Sequence, residues 1–124
     1  MRRDMDLARD ILLKIEEWPD HGAPISISIE GREEPEINYH LGLLAEAGLI
    51  HAIPTSGFSS GDEWIATSLT WAGHEFLDAA RDNTRWNQAK EIVKKKGSGL
   101  MFEILKSVLV ELASGVTPWI RQSL

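Results

Sequence analysis

Histidine is the residue type in this chain with the widest chemistry, because it can bind a metal ion or transfer a proton near neutral pH. The four histidines are His21, His40, His51 and His74. No two of them lie four residues apart on one predicted helix, and none belongs to an HExxH zinc-binding motif. His40 and His51 could converge in the fold with an acid such as Glu46. The spacing favours partly buried or surface histidines over such a ligand set.

Nucleophiles and phosphate-binding loops have little support in the sequence. The chain contains no cysteine, which excludes disulfides, thiolate metal sites and a catalytic thiol. Ser56 and Ser59 lie in a glycine- and serine-rich stretch without a positioned base. The "GSG" at 97–99 joins two predicted helices, whereas a phosphate-binding loop follows a strand. We therefore predict no enzymatic activity, no cofactor and no metal site.

Charge is distributed unevenly along the 124 residues, whose net charge is −6. Residues 33–80 carry eight acidic side chains and no lysine or arginine, whereas residues 81–96 carry six basic and two acidic ones. No apolar run approaches the roughly 20 residues of a membrane span. Acidic residues interrupt the N-terminal segment, which argues against a signal peptide. We predict a cytoplasmic protein that does not contact a membrane.

The first half of the chain predicts an alternation of helices and strands. Residues 5–18 place their apolar side chains on one helical face, and "ISISI" at 25–29 alternates like a half-buried strand. A second helix begins near Pro35 and ends at Gly48. Two further strands, "LIHAI" at 49–53 and "EWIATSL" at 63–69, enclose a flexible hairpin loop.

The second half predicts three helices in close succession. Thr70 can cap "WAGHEFLDAAR", and Asp82 or Asn83 can cap "NTRWNQAKEIVKKK". We expect Trp71 and Trp86 to pack around the join between these two helices. A glycine break then precedes "LMFEILKSVLVELA", which is a very apolar helix.

The order helix, strand, helix, strand, loop, strand is that of a winged helix. The sequence therefore predicts an α+β fold with a winged-helix-like domain and two additional C-terminal helices. The connection after the first strand is short, so the domain would lack a helix that standard winged helices have there. We assign residues 1–82 to the winged-helix-like domain. We assign residues 83–124 to a C-terminal helical extension that packs on it as one globular unit.

A family resemblance covers nearly the whole chain. "LTWAGHEFLDAARDNTRW" at 69–86, behind "YHLGLLAEAGLI" and an opening "RDMDLARDILLKIEE", resembles domain of unknown function 2513. The stretch with "GHEFLD", "RD" and a following tryptophan is its most specific part. The resemblance implies a winged-helix-like fold and a bacterial, phage or prophage context. It implies no established activity and no catalytic residues.

The second helix takes the place of a DNA-recognition helix. Leu41 and Leu44 are expected to face the core, opposite Ile11 and Ile15. Asn can pair with adenine and Tyr can bind phosphate, but lysine and arginine supply most of the non-specific affinity for DNA, and this helix contains neither. Its outward residues are predicted to be Asn38, Tyr39, Gly42, Leu43 and Glu46. The composition of this face favours a protein partner over DNA.

The basic run after residue 80 has two interpretations. Its side chains are Arg81, Arg85, Lys90 and Lys94, Lys95 and Lys96. Positive charge at a helix C-terminus is favourable, and charge runs on helices mostly face water. Lys90 and Lys94 are expected to lie opposite the stripe of Trp86. The other interpretation makes these side chains a basic patch for nucleic acid or an acidic partner.

The last predicted helix, residues 100–113, is apolar almost all round. A helix of this kind is usually buried on more than one side. The simplest prediction is a homodimer joined along this helix through Phe102, Leu105, Leu109 and Leu112. The alternative is that the first helix, whose Leu13 lies off its main apolar stripe, covers the second side within one chain.

Two classes of function fit these observations. The first is a phage- or prophage-associated protein-interaction module, accessory or regulatory, on a winged-helix-like scaffold. The second is a DNA-binding transcriptional regulator whose basic contacts come from outside the expected helix. The placement of charge favours the first and leaves the partner unnamed.

Overall fold

The computed structural model describes residues 1–19, 24–54 and 63–95, together with Ser107 and Leu109. Their fold is α+β, as predicted, and its element order is compatible with a winged-helix-like arrangement. It comprises four helices and a two-stranded antiparallel sheet: α1 Met5–Glu17, α2 Glu34–Glu46, β1 Ile50–Pro54, β2 Trp64–Leu69, α3 Trp71–Ala80 and α4 Asn83–Lys95.

Helix α1 begins where Asp4 caps it. The Asp4 carboxylate accepts hydrogen bonds from the backbone N–H groups of Asp6 at 3.0 Å and Leu7 at 3.2 Å, which satisfies two of the donors that a helix start leaves open. The helix turns one apolar face inward, and α1 contacts α2 and β2. Its buried apolar residues are Met5, Leu7, Ala8, Ile11, Leu12 and Ile15.

Helix α2 has the predicted start and end. Pro35 lies in its first turn, where a missing backbone N–H costs nothing. Gly48 follows its end with φ +78°, the left-handed conformation that glycine adopts without strain. Leu41 and Leu44 are buried, as predicted for the face of α2 that turns toward the core.

The sheet is a single hairpin, and the predicted strand at 25–29 is wrong. Strands β1 and β2 pair antiparallel from Ile50↔Leu69 to Pro54↔Trp64. On the other side of β2, Ile25 is the one described residue that forms a bridge, with its N–H 2.9 Å from the Ala66 carbonyl oxygen. The alternation in "ISISI" reflects which side chains are buried, and burial does not require the backbone to pair along its length.

The caps of the next two helices agree with the sequence. The Gly73 N–H donates to the Thr70 hydroxyl oxygen at 3.0 Å, and the Thr70 hydroxyl donates to the Gly48 carbonyl at 2.6 Å. Asp82 caps α4 by accepting from the Arg85 N–H at 2.8 Å. Each cap satisfies a backbone donor that the helix itself leaves open.

The two tryptophans at the join of α3 and α4 behave differently. Trp86 is 2% exposed and meets Phe76 edge-on with ring centroids 6.3 Å apart. Trp71 is 82% exposed, so the expectation that it packs around the join is wrong. Trp71 is the first residue of α3, where the chain has only just left the sheet, and its ring points to solvent.

The chain forms two compact units, Met1–Glu75 and Phe76–Leu124. The boundary between these two units lies inside α3. The first turn of α3 is hydrogen-bonded to Thr70, which in turn donates to the Leu49 carbonyl next to β1. Phe76, in contrast, packs against Trp86 of α4. The predicted packing of the C-terminal extension on the first domain stays a prediction.

Several predicted features lie outside the described residues. They are the hairpin loop, with Ser56 and Ser59, the histidine His21, the lysine Lys96 and most of the helix at 100–113, with Phe102, Leu105 and Leu112. Within that last segment Ser107 is exposed and Leu109 is fully buried. The homodimer along this helix stays a prediction.

Within the described ranges, no helix has both the length and the apolar character needed to cross a membrane.

Candidate functional site

A groove runs between α2 and the β hairpin, within the unit Met1–Glu75. All five residues predicted for the outer face of α2 line it: Asn38, Tyr39, Gly42, Leu43 and Glu46. The hairpin strands contribute Ile50, His51, Ala52, Ile53, Trp64 and Thr67 to the opposite wall, and the remaining lining residues are Met1, Glu34, Pro35, Ala45 and Glu63. The α2–hairpin groove, as we call this surface, occupies the place where a winged helix would present its recognition helix.

Asn38 joins the two walls of the groove. Its side-chain oxygen accepts a hydrogen bond of 2.8 Å from the backbone N–H of Trp64, at the start of β2. Two-point recognition of adenine requires both the oxygen and the amide nitrogen of an asparagine side chain. In this structure the oxygen is already engaged within the chain, so Asn38 holds the groove together and is poorly placed to read a base.

Gly42 allows the indole of Trp64 to lie directly on α2. A Cβ atom at position 42 would be 2.7 Å from the indole Nε1 and 3.2 Å from the adjacent ring carbon, which is closer than van der Waals contact allows. Trp64 is half-buried, and no acceptor for its indole N–H is found among the described residues. The groove therefore contains a hydrogen-bond donor next to a flat apolar surface.

Two other apolar side chains of the groove are open to solvent. Tyr39 is 41% exposed on α2, and Ile53 is 61% exposed on β1. Leu43, which also lines the groove, is half-buried. Exposed aromatic and aliphatic side chains gathered in one concave surface are typical of binding sites for other molecules.

The charge of the α2–hairpin groove is acidic. Glu34, Glu46 and Glu63 lie along it, and no lysine or arginine is among its lining residues. This follows from the sequence, because residues 33–80 contain no basic side chain other than histidine. The groove therefore repels phosphate groups and attracts cationic ones.

His40 has a structural role that the sequence did not reveal. It is fully buried, and its Nε2 accepts a 2.8 Å hydrogen bond from the backbone N–H of Asp4. Its Nδ1 lies 2.9 Å from the carbonyl oxygen of Glu36, to which it donates. The ring therefore carries its proton on Nδ1 and links the start of α1 to α2.

The suggested convergence of His40, His51 and Glu46 does not occur. His51 is exposed on β1 and lines the groove with Glu46, whereas both ring nitrogens of His40 are engaged with Asp4 and Glu36. Across residues 1–19, 24–54 and 63–95, no three histidine or acidic side chains come close enough to hold a metal ion.

Arg32 completes the link between α1 and α2. Its guanidinium lies 2.8 Å from the Asp4 carboxylate and 3.1 Å from that of Glu36. The spacing of four residues between Arg32 and Glu36 is visible in the sequence, although the start of α2 lies between them. The pairing with Asp4 joins residues far apart in the chain, so no local sequence pattern predicts it.

Asp4 is expected to make the stability of the fold sensitive to acid. Burial raises the pKa of Asp4, but hydrogen bonds from Arg32 and the Leu7 N–H outweigh it, and the net pKa is lowered. A carboxyl with a lowered pKa stabilises the fold above its unfolded pKa of about 3.9, and this contribution is lost as pH falls through the folded value. Below about pH 4 the free energy of unfolding should therefore fall, by less than about 1 kcal/mol from this partly exposed pair.

Urea unfolding at several pH values below 5 measures this effect. Asp4→Asn keeps an oxygen that can cap α1 but cannot titrate, so its loss of stability on acidification should be smaller than in the wild type. Glu17→Gln removes an exposed carboxyl at the other end of α1 and serves as the control. Equal acid sensitivity of the wild type and Asp4→Asn would show that the Arg32 pair does not affect folding.

The basic side chains near α4 do not all face water, which corrects one expectation. The Lys90 ammonium lies 5.7 Å from the centre of the Trp86 ring, so Lys90 is beside the buried stripe and not opposite it. Residues four apart are neighbours on a helix surface, which explains the contact. Arg81 pairs with Asp78 at 2.8 Å, whereas Lys94 and Lys95 are exposed.

Comparison with known proteins adds family information. The model of a family described as a hypothetical protein (DUF2513) matches residues 2–99. An uncharacterized protein of Haemophilus influenzae is 38% identical over 115 residues, which cover 92% of this chain and 97% of that protein. No solved structure matches the chain.

Proposed function

The chain belongs to the DUF2513 family, and from that starting point we propose that it is a cytoplasmic, phage- or prophage-associated protein-interaction module. Its role would be accessory or regulatory, and its partner would bind in the α2–hairpin groove. The phage association rests on the family resemblance. A homodimer through residues 100–113 is part of the same proposal and rests on the apolar sequence of that segment.

The observation that carries the proposal is the chemistry of the groove. The surface that would meet DNA in a winged helix combines three glutamates with exposed apolar side chains and no lysine or arginine. Proteins that bind duplex DNA neutralise phosphates with basic side chains, and this electrostatic attraction supplies most of their non-specific affinity. Aromatic and aliphatic side chains with few basic neighbours suit a protein surface instead.

A DNA-binding transcriptional regulator is the second candidate. The order of helices and strands favours it, together with the basic side chains of the second unit. Arg85 is half-buried there, while Lys94 and Lys95 are exposed at the end of α4. Under this alternative, DNA would contact α4 and not the groove.

Binding to duplex DNA separates the two candidates. We expect the purified chain to bind a fluorescent 30-base-pair duplex only weakly, with Kd near or above the non-specific range of about 10⁻⁴–10⁻⁶ M at physiological salt. Anisotropy titrations at several salt concentrations measure this. A sequence-specific complex in the nanomolar range would contradict the interaction-module proposal, both if it is lost in Asn38→Ala and Tyr39→Ala in the groove and if it is lost in Lys94→Ala/Lys95→Ala on α4.

Affinity capture with groove variants provides the positive test. The wild-type chain and a Tyr39→Ala/Leu43→Ser double variant are used as baits in a lysate of the source organism, and bound proteins are identified by mass spectrometry. The control is Asp78→Ala, an exposed position outside the groove. We expect at least one protein to be retained by the wild type and the control and lost by the double variant. Equal retention by all three baits would place the partner elsewhere.

A further inference from the structure

The α2–hairpin groove has features that select one class of partner. We propose that it binds a short extended peptide segment with an apolar centre and a lysine or arginine on either side. This inference rests on the proposed function and specifies the chemistry of the partner.

Charge complementarity is the first argument. Glu34 and Glu46 lie at opposite ends of α2, and both line the groove and are exposed. At a rise of about 1.5 Å per residue, their backbones are roughly 18 Å apart along the helix. An extended peptide advances about 3.3 Å per residue, so two basic side chains about five or six positions apart would reach both carboxylates. Glu63, which immediately precedes β2, adds a third negative charge.

The centre of the groove matches an apolar side chain bordered by peptide carbonyl groups. The indole of Trp64 covers Gly42, with Tyr39 and Ile53 exposed nearby. The indole N–H has no acceptor within the described part of the chain, and a backbone carbonyl of a bound peptide would supply one. An apolar anchor packed against Tyr39 and Ile53 would remove both from water.

The position of β1 indicates an extended segment. Strand β2 is bordered by β1 on one side and by the Ile25 bridge on the other, so β1 is the outer strand of the described sheet. The consecutive residues 50–53 all line the groove. Successive side chains of a strand point to opposite faces, so a groove that touches four in a row must follow the strand along its edge. A peptide lying there runs alongside β1, as in strand-addition complexes.

Panning a display library of random 12-residue peptides against the full chain tests the proposal. Enriched peptides are synthesised with a fluorophore, and their Kd values are measured by anisotropy. We expect the enriched sequences to carry two lysines or arginines about five or six positions apart around an aliphatic or aromatic residue. Their binding should weaken as salt is raised, because exposed ion pairs are screened.

Charge-reversal variants locate the binding. Glu34→Lys/Glu46→Lys should weaken peptide binding at least tenfold, whereas Glu17→Lys/Glu91→Lys, with the same change in net charge at exposed sites outside the groove, should leave it unchanged. Circular dichroism checks that both variants are folded. Ile53→Ser should also weaken binding, because it removes an exposed apolar side chain without changing charge.

The outcomes distinguish this inference from the proposed function. Enriched peptides that are neutral or acidic, yet lose binding in Ile53→Ser, would overturn the basic-partner chemistry and leave the interaction module in place. If no peptide is enriched, light scattering decides whether a second copy fills the groove, and either result overturns the inference. An absence of peptide binding together with tight duplex binding would overturn the inference and the proposed function.

Discussion

Leu44→Ala is expected to lower the free energy of unfolding by about 2–5 kcal/mol, the range for emptying a buried leucine site. Leu44 is 5% exposed, and the α1 residues Ile11 and Ile15 are buried as well. Helices α1 and α2 are in contact, so a cavity at Leu44 removes packing from the core of the first unit. Urea unfolding followed by circular dichroism measures the change.

Leu43→Ala is the matched control for this prediction. It makes the same chemical change one position earlier on α2, where the side chain is half-buried and lines the groove. Leu43→Ala should lower the free energy of unfolding clearly less than Leu44→Ala, because truncating a partly exposed leucine removes less buried apolar surface. If Leu44→Ala changes stability by under about half a kcal/mol, the range of ordinary surface substitutions, α2 would be turned the other way and the groove residues would be misassigned.

Gly73→Ala should also destabilise the fold strongly, at or beyond the upper end of the roughly 1–3 kcal/mol for overpacking. A Cβ atom at position 73 would collide with the backbone carbonyl oxygen of Leu49. That carbonyl is held in place, because it accepts a 3.0 Å hydrogen bond from the Thr70 N–H. Alanine normally favours a helix over glycine, so a loss of stability would have to come from this collision.

Gly42→Ala is the control for the second prediction. The added methyl group would meet the side chain of Trp64 and not the backbone. A side chain can turn aside at lower cost than a bonded carbonyl, so Gly42→Ala should destabilise the fold less than Gly73→Ala. The melting temperatures of both variants, measured by thermal unfolding, test this order of stability. Equal stability of Gly73→Ala and the wild type would mean that the start of α3 stands further from Leu49 than the structure shows.

Much of the fold was predictable because its signals are local. Thr70 and Asp82 cap helices through bonds to residues three positions ahead, and Gly48 ends α2 through its own φ angle. The outer face of α2 was predicted from helical periodicity, and its five residues line one groove. The same local reasoning failed for residues 25–29, since side-chain alternation does not specify whether the backbone pairs.

The candidate site depended on the fold for its detailed geometry. The residue that lies over Gly42 is Trp64, and the backbone N–H of Trp64 donates to the side-chain oxygen of Asn38, 26 residues earlier. Neither pairing has a sequence pattern, because a long-range contact depends on how whole elements pack. The acidic charge of the groove, in contrast, was determined by composition, since all of its lining residues except Met1 come from residues 33–80, which contain no lysine or arginine.

The sequence by itself thus determined the helices, their caps and the sign of the charge on the groove, because these depend on residues within a few positions or on composition. Tertiary structure alone decided that His40 is buried between Asp4 and Glu36 and that Trp71 faces solvent. The His40 contact joins residues 36 positions apart. A histidine side chain can serve as a ligand, a base or a structural link, and only the neighbours brought to it by packing select among these roles.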